Sequence, residues 1–269
     1  MPPTLLPPRP ADCHKAMFGR IGLIGGAAGT VGALLLAGRA ALHGGAGLVT
    51  LGMLDENVRV DFAAPELMFA PPESLAADLD LNVLAVGPGL GQSRQAFELM
   101  QAALPHPALL VIDADGLNVV SRRADLAYVC GHRSAPTLLT PHPGEAARLL
   151  QVKTREIQEN RELAARELAR SFNALVALKG AGTVLASPDG EIEINRSGNP
   201  ALSAPGMGDV LTGMLAAFAA RLPPWEALRL AVWLHGQAAD DALAEGCGVE
   251  GLTASELIRY ARRRLNACD

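Results

Sequence analysis

Cysteine is scarce in this 269-residue chain, whose four thiols, Cys13, Cys130, Cys247 and Cys268, lie far apart. No CxxC or Cys/His spacing suggests zinc, and so few thiols in so long a chain exclude a disulfide framework. A reducing cytoplasm is the expected compartment. Positive charge is scarce too: 23 Lys and Arg against 28 Asp and Glu give a formal net charge of -5. The one basic run, Arg262-Arg263-Arg264, suits the solvated face of a last helix. Nucleic acid and membrane are therefore not expected partners. MPPTLLPPRPAD has no basic region leading into an apolar core, so no signal peptide is expected. Ile21 to Gly38 is free of charge for 18 residues, but its six glycines break it into strand, turn and helix, not a membrane span.

Several nucleotide and hydrolase signatures are missing as well. There is no GxxxxGK[ST] loop, GxSxG elbow or HExxH helix, and Gly44-Gly45-Ala46-Gly47 precedes a strand where a dinucleotide fingerprint would follow one.

What is present is a hydrophobic content of 49%, enough to fill the core of one large α/β domain. Apolar runs at 21–26, 47–52, 82–87, 108–113, 137–140 and 174–179 have the length and borders of buried strands. Helical spacing falls between them, at roughly 30–43, 93–104, 143–150 and 155–171. This alternation predicts a mostly parallel central sheet with helices on both faces. Residues 183–187 and 191–195 read as a hairpin turned at Pro188-Asp189-Gly190, and helices are expected at 208–221, 225–245 and 254–266. The chain divides into a proline-rich leader, 1–10, and one domain, 11–269.

Ligands of open parallel sheets gather at the carboxyl ends of the strands. Five loops begin there: Gly25-Gly26, Gly87-Pro88-Gly89-Leu90-Gly91, Asp113-Ala114-Asp115, Thr140-Pro141-His142 and Lys179-Gly180-Ala181-Gly182-Thr183. A sixth segment, APGMGDVLTGML, starts a helix whose free N–H groups favour an anion, and Gly206 and Gly208 remove side chains that would keep a phosphate away. Asp209 could then accept a proton from a hydroxyl attacking that phosphate, or it is an ordinary capping acid. KGAGT lies under a nucleotide's phosphates or is a glycine hairpin turn. His142, fixed between two prolines, recognises substrate, or Glu145 caps a helix started by Pro143 and His142 is exposed by accident. Asp113 and Asp115, with Asn118 following, hold Mg²⁺ through water, or Asp115-Gly116 is a turn.

With these residues in view, the chain resembles the ADP- or ATP-dependent NAD(P)H-hydrate dehydratases of the ribokinase-like superfamily. The resemblance runs from about Pro8 through HKAMFGRIGLIGG, GALLLAGRAALHGGAGLV, VGPGLG, IDADGLN, TPHPGEAARL, LKGAGTVLA and GNPALSAPGMGDVLTG, in the family's order. It implies a three-layer ribokinase-like α/β fold and a hydro-lyase that repairs the 6S epimer of NAD(P)H hydrate (NADHX or NADPHX). The nucleotide's terminal phosphoryl passes to the ring hydroxyl, and phosphate elimination restores NAD(P)H, with ADP giving AMP and phosphate. It further implies Asp209 as catalytic base and Gly206, Met207 and Gly208 as an anion hole. Lys179, Gly180, Ala181, Gly182, Thr183 and Gly208 would bind nucleotide, and Ala33, Gly89, Gly91, His142 and Asp209 the hydrate. Mg²⁺ would sit near Asp113 and Glu145, through water, and Asn199 would shape the loop leading to the anion hole. A homotetramer and cooperation with a separate epimerase are also implied. The alternative is a small-molecule kinase of the same fold, acting on a vitamin precursor or sugar alcohol.

Overall fold

Short apolar runs form strands here because both faces of the sheet are covered, so alternate residues along each run enter different cores. In the computed structural model, which describes Pro3 and residues 5–267, nine strands form one sheet in the order β3-β2-β1-β4-β5-β6-β7-β8-β9. Cys268 lies outside the described residues. The strands are β1 (Arg20–Gly25), β2 (Leu48–Met53), β3 (Met68–Ala70), β4 (Val83–Val86), β5 (Leu109–Ile112), β6 (Thr137–Leu139), β7 (Leu175–Leu178), β8 (Val184–Ala186) and β9 (Ile192–Ile194). The first seven pair in parallel, and β8 and β9 add antiparallel pairings. This is the expected mostly parallel sheet, with the hairpin at its end.

Leu23, Ala85, Val111, Leu138 and Ala177 face one core. Their neighbours Ile24, Val86, Ile112, Leu139 and Leu178 face the other. The first core is closed by α1 (Val31–His43), α9 (Met207–Ala219), α10 (Pro224–Ala244) and α11 (Ala254–Asn266). The second is closed by α2 (Pro72–Ala76), α3 (Arg94–Ala103), α4 (Ala114–Ser121), α5 (Ala124–Gly131), α6 (Pro143–Leu150), α7 (Thr154–Glu159) and α8 (Arg161–Ser171). Helix, sheet and helix thus make the expected three layers.

The helix expected over 155–171 is two helices, because Asn160 turns out of helical geometry and its side chain caps α8 at the Leu163 N–H. Helix α9 lies close against α1: a Cβ on Gly213 would fall 2.0 Å from the Ala37 carbonyl oxygen, so only glycine permits the approach. Pro7 and Arg9 are tied to the rest of the chain. Arg9 stacks 3.8 Å over the Phe18 ring and bonds the Gly45 carbonyl, while Arg221 bonds the Pro7 carbonyl. Among the described residues no helix is long and apolar enough to cross a membrane.

Candidate active site

A cleft of about 820 Å³ opens at the carboxyl ends of β5, β6 and β7. Asp113 follows β5, His142 follows β6 and Lys179 follows β7, and all three line the cleft with Gly180 to Thr183, Gly208 and Asp209. Its far wall is the segment from Asn195 to Ala204 that leads into α9. The helix starts abruptly because Gly206, its N-cap, takes φ +85°, a left-handed conformation costly for any side-chain-bearing residue. Asp209 is therefore not the cap. It sits in the first turn, beside the free amides of the helix start.

The KGAGT and TPHPGE segments each have a local structural role and also line the cleft. Lys179 to Thr183 joins the antiparallel strands β7 and β8 and also lines the cleft. His142 and Glu145 form a capping box at α6 and also face the cleft. The His142 Nδ1 accepts from the Gly144 N–H at 2.9 Å, which places the ring proton on Nε2, 3.3 Å from Glu145 Oε1. Burial, with Lys179 and Arg148 nearby, holds the His142 pKa below its ordinary value, so the ring is neutral.

Charge is concentrated on the cleft floor. Lys179 Nζ donates to Asp113 Oδ1 at 2.7 Å, and Thr212 Oγ1 donates to Asp113 Oδ2 at 2.7 Å. Burial opposes the Lys179 charge, but Asp113, Glu145 and Asp209 outweigh it and raise its pKa. Burial pushes Glu145 up to about 7. It pushes Asp209 up to about 6, with Asp113 and Asp115 adding repulsion and Lys179 partly relieving it. Among the described residues no group of three or more acid, His or Cys side chains could hold a metal by itself. Asp113 spends both oxygens on Lys179 and Thr212, whereas Glu145 accepts one hydrogen bond, from the His142 N–H at 2.8 Å. Such a donor set fits Mg²⁺ that arrives with phosphates and keeps its waters, the usual habit of this ion.

Of the remaining expected residues, Asn199 belongs to the far wall, whereas Ala33, Gly89, Gly91 and Asp115 are not in the lining. The loops after β1 and β4 are joined by Gly26 N–H to the Pro88 carbonyl at 2.9 Å and Thr30 Oγ1 to the Gly89 carbonyl at 2.9 Å. Asp115 accepts the Gly91 N–H at 2.9 Å, which commits it to that loop. Ala33 is on the first turn of α1, whose Leu36 packs against Gly206. Asn199 is held by Asp240 at 3.0 Å and caps the short turn that follows it.

Three supporting residues had no local sequence signal. Arg161 Nη2 bonds the Leu178 carbonyl at 2.9 Å and Nη1 reaches the Ala181 carbonyl at 2.5 Å, so its guanidinium braces the KGAGT loop from below. Buried His235, its pKa pushed down to about 4 by burial, contacts the Met207 carbonyl through Nε2 at 2.8 Å. Thr212 is the third. Each acts across more than fifteen positions of chain.

Residues 21–263 match the family model described as NAD(P)H-hydrate dehydratase. The ADP-dependent (S)-NAD(P)H-hydrate dehydratase of Neisseria meningitidis serogroup B is 40% identical over 97% of this chain and 89% of that protein. A bifunctional NAD(P)H-hydrate repair enzyme from Moorella thermoacetica is 39% identical over 95% of this chain, which spans 51% of that longer protein. Among solved structures, the ADP/ATP-dependent NAD(P)H-hydrate dehydratase of Bacillus subtilis, co-crystallised with ATP/Mg²⁺, superposes with a TM-score of 0.86 at 32% identity, covering 98% of this chain and 95% of that one. A ribokinase-like superfamily protein from Enterococcus faecalis gives a TM-score of 0.83 at 25% identity, covering 98% and 92%.

Proposed function

The chain belongs to the NAD(P)H-hydrate dehydratase family, and from that premise we propose that it restores NAD(P)H from the 6S hydrate at the expense of ADP. The observation that carries the reading is Asp209, a carboxylate with its pKa near 6, set among helix-start amides in the cleft that also holds KGAGT. Lys179 to Thr183 and Gly208 hold the nucleotide. The hydrate lies against His142 and the neighbouring patch of Ala33, Gly89 and Gly91.

Asp209 takes the proton of the ring hydroxyl as its oxygen attacks the terminal phosphorus, and the bond from that phosphorus to the bridging oxygen breaks to release AMP. The amides of Gly206, Met207 and Gly208 and the Lys179 ammonium stabilise the migrating phosphoryl, since phosphoryl transfer depends on positioning and electrostatics. Cleavage of the ring C–O bond then expels phosphate as a ring proton leaves, and the nicotinamide double bond returns. Mg²⁺, held through water by Glu145, would neutralise phosphate charge on this acid-rich floor. Residues 11–269 serve as one catalytic domain with 1–10 as its leader, and the active form is a homotetramer, which sedimentation measures.

Incubation with NADPH hydrate, Mg²⁺ and either ADP or ATP is the direct test. Absorbance at the reduced nicotinamide band should recover with one AMP and one phosphate per turnover with ADP. A phosphorylated product without recovered NADPH would replace this reading with a conventional kinase. Arg161→Ala should raise the KM for ADP about tenfold with kcat within twofold, because a charged brace on two loop carbonyls is lost while the reacting groups stay; steady-state kinetics reads the split.

A further inference from the structure

We propose that Thr212 and Asp113 are positioning residues for this reaction: the Thr212 hydroxyl fixes the Asp113 carboxylate, and Asp113 holds the Lys179 ammonium against the start of α9. The inference rests on the dehydratase reading of the cleft and adds two residues that touch neither substrate. A helical threonine ordinarily turns its hydroxyl back to a carbonyl of the preceding turn. Thr212 instead sends it across the layer boundary to Asp113 Oδ2, at 2.7 Å, with its side chain fully buried.

Position decides what that bond controls. Thr212 lies three residues after Asp209, so both project from one face of α9. Asp113 comes from the opposite side of the site, at the end of β5, and is 1% exposed. Its second oxygen takes Lys179 Nζ at 2.7 Å. The ammonium in turn lies beside the helix start: a Cβ on Gly208 would come within 3.5 Å of Nζ and 3.9 Å of Asp113 Oδ2. One line of contacts therefore runs from the helix bearing the base, through hydroxyl and carboxylate, to the cation beneath the phosphates. Without the hydroxyl, Asp113 has a single side-chain partner and turns with Lys179. The cation then loses its fixed distance to Asp209 and to the migrating phosphoryl, and near-attack geometry is sensitive to displacements of an ångström.

Thr212→Val removes the hydroxyl and keeps the side-chain shape; Thr212→Ser keeps the hydroxyl. The full-length variants are compared by steady-state kinetics and by calorimetric titration with ADP and Mg²⁺. In Thr212→Val, kcat should fall about tenfold or more and ADP affinity at least about threefold, with the KM for hydrate within twofold, while Thr212→Ser recovers most of both losses. Wild-type kcat and ADP affinity in Thr212→Val would overturn the proposal, as would a serine variant as impaired as the valine one. Thr212→Ala repeats the comparison if the valine variant does not fold. If the wild type lacks dehydratase turnover yet the ADP affinities follow this pattern, the tether stands and the reading of the reaction fails.

Discussion

Asp209→Asn is expected to bind ADP as the wild type does and to turn over at least about a hundredfold more slowly, the range for removing a general base. The substitution keeps the size and polarity of the side chain, so the first turn of α9 and its amides persist. What is lost is the lone pair that receives the hydroxyl proton. The carboxylate suits that task because burial, and then Asp113 and Asp115, lift its pKa from 3.8 to about 6. At neutral pH it is largely ionised and still basic enough to accept a proton. The wild-type kcat/KM should therefore decline below about pH 6, and the residual rate of Asp209→Asn should lack that limb. Stability should move the other way. A carboxylate whose folded pKa exceeds its unfolded value binds its proton more tightly in the native state, so ionisation costs stability above the unfolded value, most fully above pH 6. Replacing it by a neutral amide should raise Tm at pH 8. A slow variant with unchanged or lowered Tm would make Asp209 a structural acid.

How much of this was legible in the sequence depended on whether a partner lay nearby along the chain. Strands β1, β4, β5 and β7 announce themselves because burial on both faces leaves four or more apolar residues in a row. Five loops were expected to meet in one site; those after β5, β6 and β7 line one cleft, whereas those after β1 and β4 are bonded to each other outside its lining. Helix α4 was hidden: Asp115-Gly116 has the composition of a turn, and Ala114 opens the helix at φ 48°. Asp115 offered itself as a metal ligand on paper, but its carboxylate is committed to the Gly91 amide. The strand β3 and the five-residue helix α2 fall in a stretch too short to show a period. Arg161, Thr212 and His235 sit among ordinary helical residues, and their partners are 17, 99 and 28 positions away. For KGAGT and His142 the sequence offered a structural and a functional reading as rivals; the hairpin and the cap are both present, and both segments also line the cleft. A cap or hairpin that fixes a loop is also what presents it to a ligand.

The second large effect is expected at Lys179. Three acids, Asp113, Glu145 and Asp209, share this one ammonium, and the nucleotide would add further negative charge above it. Lys179→Met keeps much of the stem's bulk and removes the charge, so the migrating phosphoryl loses a fixed electrostatic partner. Turnover should fall about 10²–10³-fold, the scale for removing one preorganised transition-state donor. The same change strands Asp113, which is 1% exposed and paired with Lys179 at 2.7 Å. Breaking a buried pair from one side costs about 3–5 kcal/mol, so Tm should drop as well. These consequences separate in the double variant Lys179→Met with Asp113→Asn. Neither member is then charged, and the side-chain amide oxygen that replaces the carboxylate can still accept from the Thr212 hydroxyl. Thermal unfolding should regain most of the lost Tm, while turnover stays as low as in Lys179→Met alone. If turnover returned with stability, the ammonium would serve only to neutralise Asp113, and the phosphoryl would be stabilised by the α9 amides without it.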